Sequence, residues 1–134
     1  MTLERGLAIY TLISATLHFS LETYHFIQYG SFLPMLIVDY IAISLFVFAS
    51  YVALSNRYGS AAGLLCGAWG FAFCLNYRAF FWRYQELMEG SPQGLEPMEA
   101  VASILGVTLI ISGSVFLLTL WMAFPRPKPA HPPA

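Results

Sequence analysis

Four long runs of apolar residues follow one another along the chain, separated by shorter polar segments. The runs extend approximately over residues 6–26, 33–54, 61–82 and 100–124. Each is near or above the roughly 20 residues that an α-helix needs to cross a bilayer. The pattern therefore predicts four transmembrane helices, and the short links predict that neighbouring helices are antiparallel.

The predicted fold class is all-α: an integral membrane protein built as an up-down-up-down bundle of four transmembrane helices. Residues 1–124 should form a single membrane domain. Residues 125–134 should form a disordered tail in the cytoplasm, because their many prolines interrupt regular helix.

Composition agrees with a membrane class and limits the partners. Of the 134 residues, 58% are hydrophobic and 10% are charged, whereas soluble domains carry about 25% charged residues. The formal net charge is -1, and without a basic run no nucleic-acid partner is expected. The expected partners are the lipid bilayer and either a lipophilic ligand or another membrane protein, and a homo-oligomer stays open.

The basic residues indicate the orientation. In the predicted topology Arg5, Arg57, Arg126 and Lys128 lie on one side of the membrane. The opposite side holds glutamates and only Arg83, at the end of the third run. Because cytoplasmic segments are enriched in lysine and arginine, we expect a multi-pass protein of an inner membrane with both termini in the cytoplasm.

Ionisable residues inside these runs are the main functional clue. His18, Glu22 and His25 fall on one stripe of the first helix. Asp39 of the second run and Arg78 of the third lie at nearly the same depth as Glu22, roughly 7–9 Å below the outer surface at 1.5 Å per residue. Intramembrane charges usually face a bundle interior and pair with one another. We therefore expect Arg78 to point into the bundle and to meet the acids there.

Small residues predict where the helices approach most closely. Such stripes allow membrane helices to pack tightly. In the third run the stripe leads up to Arg78, and the fourth run offers a comparable face. The positions are Gly63, Gly67, Gly70 and Cys74 in the third run, and Ser103, Gly106 and Gly113 in the fourth.

The predicted site is a polar cluster near the outer leaflet. It comprises His18, Glu22, His25, Asp39, Asn76, Arg78 and Arg83. One interpretation is a structural ion-pair network, since unpaired buried charge is costly. The other is a pocket for a polar ligand or a reacting group, in which Glu22, His18 and His25 are the candidate catalytic residues.

A metal ion is a further alternative. Glu22 and His25 have the Glu-x-x-His spacing of di-iron carboxylate bundles, but those need a second such pair, which no other run contains. A mononuclear site of His18 or His25 with Glu22 and Asp39 is chemically reasonable, because imidazole and carboxylate together suit zinc or iron. No cofactor is predicted, and the metal site stays open.

Two resemblances bear on function. The His18-to-Glu22 stretch, an H-x-x-x-E on a first span, is similar to emopamil-binding, sterol-isomerase-like membrane proteins. That resemblance implies acid/base work on a sterol double bond, with Glu22 handling protons. The sequence over residues 18–25, 33–45 and 67–83 resembles small bacterial four-helix membrane proteins of no assigned activity. That resemblance implies that the protein lies in a bacterial inner membrane.

The expected role is binding or assembly: an accessory or ligand-binding membrane protein. The enzyme alternative is isomerase-like proton transfer on a lipophilic substrate. In that alternative Glu22 is the acid/base, His18 or His25 tunes it, and Arg78 orients it. A metal-binding membrane protein is the second alternative.

Overall fold

The computed structural model describes residues 1–30, 32–55, 57–90 and 98–125. Of these residues 88% are helical and none lies in a strand. The four helices are α1 (Leu3–Tyr29), α2 (Leu33–Leu54), α3 (Ala62–Met88) and α4 (Met98–Ala123). The all-helical class is thus as predicted, whereas the proline-rich tail falls, from residue 126 onward, outside the described residues.

The ends of α1 are set by local chemistry. At its start the Thr2 hydroxyl accepts a hydrogen bond of 3.3 Å from the amide of Arg5, which satisfies a backbone donor that the first turn leaves free. At its end Gly30 has φ 67° and donates to the carbonyl of Phe26, a left-handed conformation that glycine adopts without strain. Pro34 then lies in the first turn of α2, where its missing N–H has no cost.

The third helix is longer than its apolar run. Hydrophobicity predicts an end near residue 82, whereas α3 continues to Met88. The extra turns carry their own polar contacts, because the indole of Trp82 and the guanidinium of Arg83 both donate to the carboxylate of Glu86, at 2.8 and 3.1 Å. Side-chain pairs three and four residues apart stabilise a helix in polar surroundings.

The helices pack in chain order, α1 on α2, α2 on α3 and α3 on α4. In addition, α1 contacts α3 at two levels. The Glu4 carboxylate accepts hydrogen bonds of 2.8 Å from the Ser60 hydroxyl and from the amide of Ala61 at the start of α3. About two turns further along both helices, the buried indole of Trp69 donates to the hydroxyl of Thr11 at 2.9 Å.

The best-buried part of the core lies between α1, α2 and α3. Trp69 is at its centre, with the ring of Phe46 at 4.6 Å and that of Tyr10 stacked at 5.8 Å. Leu65 and Ala15 complete the same cluster, with 0% and 2% exposure. These contacts fix α1 against both of its neighbours over the half of the bundle that contains the chain start.

Glycines and phenylalanines interlock between α3 and α4. Each glycine lets a phenylalanine ring of the other helix approach so closely that an added Cβ would lie 2.9–3.1 Å from it. The pairs are Gly70 with Phe116, Gly106 with Phe80, and Gly113 with Phe73. The predicted close approach of these helices therefore exists, and its three glycines all belong to the predicted stripes.

The other members of the predicted stripes do not take part in this contact. Gly63, Gly67 and Cys74 are exposed, as is Ser103 on α4, and a Cβ at Gly63 or Gly67 would meet nothing within 4 Å. Glycine spacing marks a face of a helix but does not say which neighbour, if any, packs on it. The rings of phenylalanine determine the contact face here.

Three helices are long and apolar enough to cross a membrane: Leu33–Leu54, Ala62–Met88 and Glu99–Ala123. Among the described residues α1 does not meet that criterion, although it has 27 residues. Its histidines, two glutamates, one arginine and several hydroxyl side chains reduce its hydrophobicity. By composition, then, three membrane spans are supported rather than the predicted four.

Candidate functional site

Three of the predicted residues come together between α1 and α2. The Nε2 atom of His18 lies 3.7 Å from a carboxylate oxygen of Glu22 and 3.7 Å from one of Asp39. One ligand-type atom from each of the three residues lies within 4.8 Å of the other two. We call this group the α1–α2 cluster.

Helix geometry explains how the cluster forms. His18 and Glu22 are four residues apart on α1, so they occupy one face one above the other. Asp39 comes from α2, two turns after its start, and the short link through Gly30 sets the register of the two antiparallel helices. Counting depth along the chain placed Glu22 and Asp39 at one level, whereas His18 was expected deeper, near the midplane, and its contact with Asp39 was not predicted.

A second contact holds the two helices together beside the cluster. The hydroxyls of Thr23 and Tyr40 form a hydrogen bond of 2.8 Å, and the ring of Phe19 stacks on that of Tyr40 at 5.4 Å. Thr23 and Tyr40 directly follow Glu22 and Asp39 in sequence. Because the contact joins the neighbours of both acids, it holds α1 against α2 beside the cluster.

The sequence argument missed Thr23 and Tyr40. The available signal was their polarity within apolar surroundings, next to an acid on each helix. A hydroxyl in a membrane helix usually bonds its own backbone or a neighbouring helix, so the two were candidates for a partner. Nothing in the sequence identified that partner as the other hydroxyl.

The cluster is partly accessible. The side chains of His18, Glu22 and Asp39 are 21%, 35% and 23% exposed. Its two carboxylates face one imidazole, and His25 also acts electrostatically on Glu22. Two neighbouring carboxylates that are largely shielded from water favour a positively charged partner, because isolated buried charge is costly. The arrangement can therefore hold a cation or exchange a proton.

His25 and Asn76 have different neighbours. The ring of His25 lies 5.1 Å from that of Tyr29 near the end of α1. The Asn76 amide donates to the Ser112 hydroxyl at 3.2 Å, which places it in the contact between α3 and α4.

The expectation for Arg78 was wrong. Its side chain is exposed, and its guanidinium lies 5.9 Å from the centre of the Trp82 ring. Arg78 lies on the face of α3 that carries Trp82 one turn later, whereas α1 contacts α3 nearer the opposite end of the bundle. Arg83 pairs with Glu86 at 3.1 Å.

Arg78 instead lines an open groove on the outward face of α3. The groove has a volume of about 660 Å³. Its lining residues are Tyr77, Arg78, Phe81, Trp82, Gln85, Glu86 and Glu89. The predicted polar cluster is thus divided between the α1–α2 cluster, the α3–α4 contact and this groove.

Comparison with known proteins finds no matching family model, no matching curated protein and no matching solved structure. Functional reasoning therefore depends on the residues and their geometry.

Proposed function

We propose that the chain is a four-pass integral membrane protein. The outer face of α4 supports contact with lipid, because its large apolar side chains are more than half exposed, which is unusual for a water-soluble surface. They include Ile104, Val107, Ile110, Leu117 and Trp121, with 57–72% exposure. Most lysine and arginine residues lie on the side of the membrane that would hold the N-terminus. This excess supports an orientation with both termini in the cytoplasm, and we propose an inner membrane of bacterial type.

The position of α1 supports its inclusion as the fourth span. Its first turn contacts the start of α3 through Glu4 and Ala61. Its last turn leads within a few residues into the start of α2. A helix that joins those two levels runs the full height of the bundle. Its ionisable residues His18 and Glu22 are tolerated because they contact each other and, through His18, Asp39 of α2.

We further propose that the protein binds a small cationic ligand at the α1–α2 cluster. One observation carries this proposal: two carboxylates from different helices lie at equal distances of 3.7 Å from a single imidazole nitrogen. The cluster is accessible enough for a ligand to enter, and the Thr23–Tyr40 hydrogen bond holds its two sides in place.

The test is native mass spectrometry of the protein gently extracted from its own membrane. The wild-type chain should carry a non-covalent adduct that is lost when His18→Ala, Glu22→Gln and Asp39→Asn are combined. The matched control is Glu86→Gln with Glu89→Gln, which removes two acids elsewhere and should keep the adduct. Identical spectra for wild type and the triple variant would refute ligand binding at the cluster.

The second candidate function is proton-transfer chemistry on a lipophilic substrate. It is favoured by the pairing of His18 with Glu22 one turn apart on α1, both partly exposed. Glu22 would protonate one carbon of a double bond, and its carboxylate would then accept a proton from a carbon next to the resulting cation, which completes the isomerisation and restores the acid. Incubation with a ring-unsaturated sterol in D₂O should then yield a deuterated isomer, and Glu22→Gln should abolish it.

A further inference from the structure

We propose that the α1–α2 cluster binds one divalent transition-metal ion, represented by Zn²⁺. The ligands are Nε2 of His18 and one carboxylate oxygen each from Glu22 and Asp39. This inference rests on the proposed ligand-binding function and names the ligand of that site.

The distances fit a metal ion better than direct hydrogen bonds. Both contacts of His18 Nε2 are 3.7 Å, whereas N–H···O hydrogen bonds cluster near 2.9–3.0 Å. Ligand atoms placed tetrahedrally around zinc, with bonds of about 2.0–2.1 Å, are about 3.4 Å apart. Each carboxylate oxygen is within a few tenths of an ångström of that separation from the imidazole nitrogen, and the two carboxylate oxygens lie within 4.8 Å of each other.

The charge of the cluster also fits a divalent ion. Glu22 and Asp39 contribute two negative charges to the cluster, in which a protonated His18 can neutralise only one of them, while His25 acts on Glu22 from outside the cluster. Arg78 is exposed on α3 and Arg83 is paired with Glu86. A divalent ion neutralises both carboxylates while His18 stays neutral, which is the form of imidazole that binds metals.

The donor set indicates the class of metal. One imidazole and two carboxylates suit the borderline and harder first-row ions, zinc among them. Three protein ligands on one side of a partly exposed site leave a coordination position for water or a ligand, as in zinc sites that are not purely structural. The Thr23–Tyr40 hydrogen bond supports the site because it holds α1 against α2 next to the ligands.

Zinc binding to the purified full chain tests the inference. The protein carries a non-histidine affinity tag, is stripped with a chelator, and is titrated with ZnCl₂ in detergent against a competing zinc dye. We expect one zinc ion per chain. Loss of a mere supporting contact lowers metal affinity about 10- to 100-fold, so His18→Ala and Asp39→Asn should each weaken binding by at least tenfold. Glu86→Gln, the matched carboxylate control, should leave the affinity unchanged.

Asp39→His separates a metal ligand from an ion-pair partner. Histidine can replace aspartate as a zinc ligand but cannot act as the negative partner of His18. Asp39→His should therefore keep zinc binding that Asp39→Asn loses. X-ray absorption at the zinc edge should show only nitrogen and oxygen ligands at about 2.0–2.2 Å, with more imidazole scattering in Asp39→His than in wild type.

The outcomes separate this inference from the function on which it rests. No zinc binding, or zinc binding equal in wild type and His18→Ala, overturns the metal site. If native spectra still show an organic cation that the triple variant loses, ligand binding at the cluster stands without the metal. If neither zinc nor any adduct depends on the cluster, both proposals fail.

Discussion

The buried hydrogen bond between Trp69 and Thr11 joins α1 to the centre of the core. Trp69 donates to the Thr11 hydroxyl, which in turn donates to the carbonyl of Leu7 at 2.8 Å. Neither Thr11 nor Trp69 is more than 3% exposed. The hydroxyl is therefore the partner on which the indole N–H depends.

Thr11→Val should lower the free energy of unfolding by about 1–3 kcal/mol, because it leaves the buried indole N–H without an acceptor. Unfolding by SDS in mixed micelles measures the change. The matched control is Thr16→Val, whose hydroxyl is exposed and bonds only the carbonyl of Leu12. An equal loss in both variants would show that the Trp69 contact contributes nothing.

The Glu4 carboxylate is a second residue-scale contact, at the start of α3. It accepts two hydrogen bonds there and places negative charge at a helix N-terminus. Glu4→Gln keeps one acceptor and removes the charge, so we expect a loss of about 1 kcal/mol.

Glu99→Gln is the control for that prediction, measured by the same SDS unfolding. Glu99 is an exposed acid in the first turn of α4, so the control retains the effect of charge on a helix end without the inter-helix bonds. A larger loss of unfolding free energy in Glu99→Gln than in Glu4→Gln would show that the hydrogen bonds of Glu4 to Ser60 and Ala61 do not stabilise the protein.

At the scale of helices, the α3–α4 contact depends on particular glycines. Gly70→Ala would place a Cβ 2.9 Å from the ring of Phe116, which is itself stacked on Phe73 at 6.0 Å. Forcing extra volume into such a contact costs about 1–3 kcal/mol. Gly67→Ala on the same helix meets nothing and should stabilise by about 0.5–1 kcal/mol, through the helix preference of alanine.

Thermal unfolding in detergent of both alanine variants checks this pair, because they carry the same chemical change. A stabilised Gly70→Ala would show that Phe116 moves aside at no cost. A destabilised Gly67→Ala would instead point to a neighbour on the exposed face of α3, such as a second copy of the chain.

The helices were largely predictable, whereas their facing sides were not. Hydrophobic length located α2 at residues 33–54, as observed, because a buried or lipid-facing helix must be apolar along its whole length. Hydrophobic length alone predicted too early an end for α3, because the contacts of Glu86 extend the helix beyond its apolar run. The side of a helix that is buried depends on which neighbouring helix packs against it. Gly63 and Gly67 show that small residues alone do not identify that side.

The site was predictable to the same extent. Glu22 and Asp39 were placed together because depth along two antiparallel helices is a one-dimensional count, and His18 joined them because it shares a face of α1 with Glu22. Arg78 has a similar depth, but depth says nothing about rotation around the axis of α3 or about the reach of a long side chain. It extends over Trp82 instead. Lateral position was the missing information.

For the whole molecule, the decisive question is whether α1 crosses the membrane. Composition supports three spans, whereas packing places α1 beside α2 over its length, with Glu4 at the start of α3. If α1 crosses, the chain start and the end of α2 lie on one side. If α1 lies along the surface, they lie on opposite sides.

Labelling of single introduced cysteines distinguishes the two positions of the chain start. In a Cys66→Ala, Cys74→Ala background, Thr2→Cys and Ser55→Cys should both resist a membrane-impermeant maleimide in intact cells and react after lysis. Glu89→Cys, at the exposed end of α3, should react before lysis and serves as the positive control. Labelling of Thr2→Cys alongside Glu89→Cys, with Ser55→Cys protected, would establish three spans. It would also place the α1–α2 cluster outside the four-helix membrane bundle, because one of its two walls would then lie on the surface.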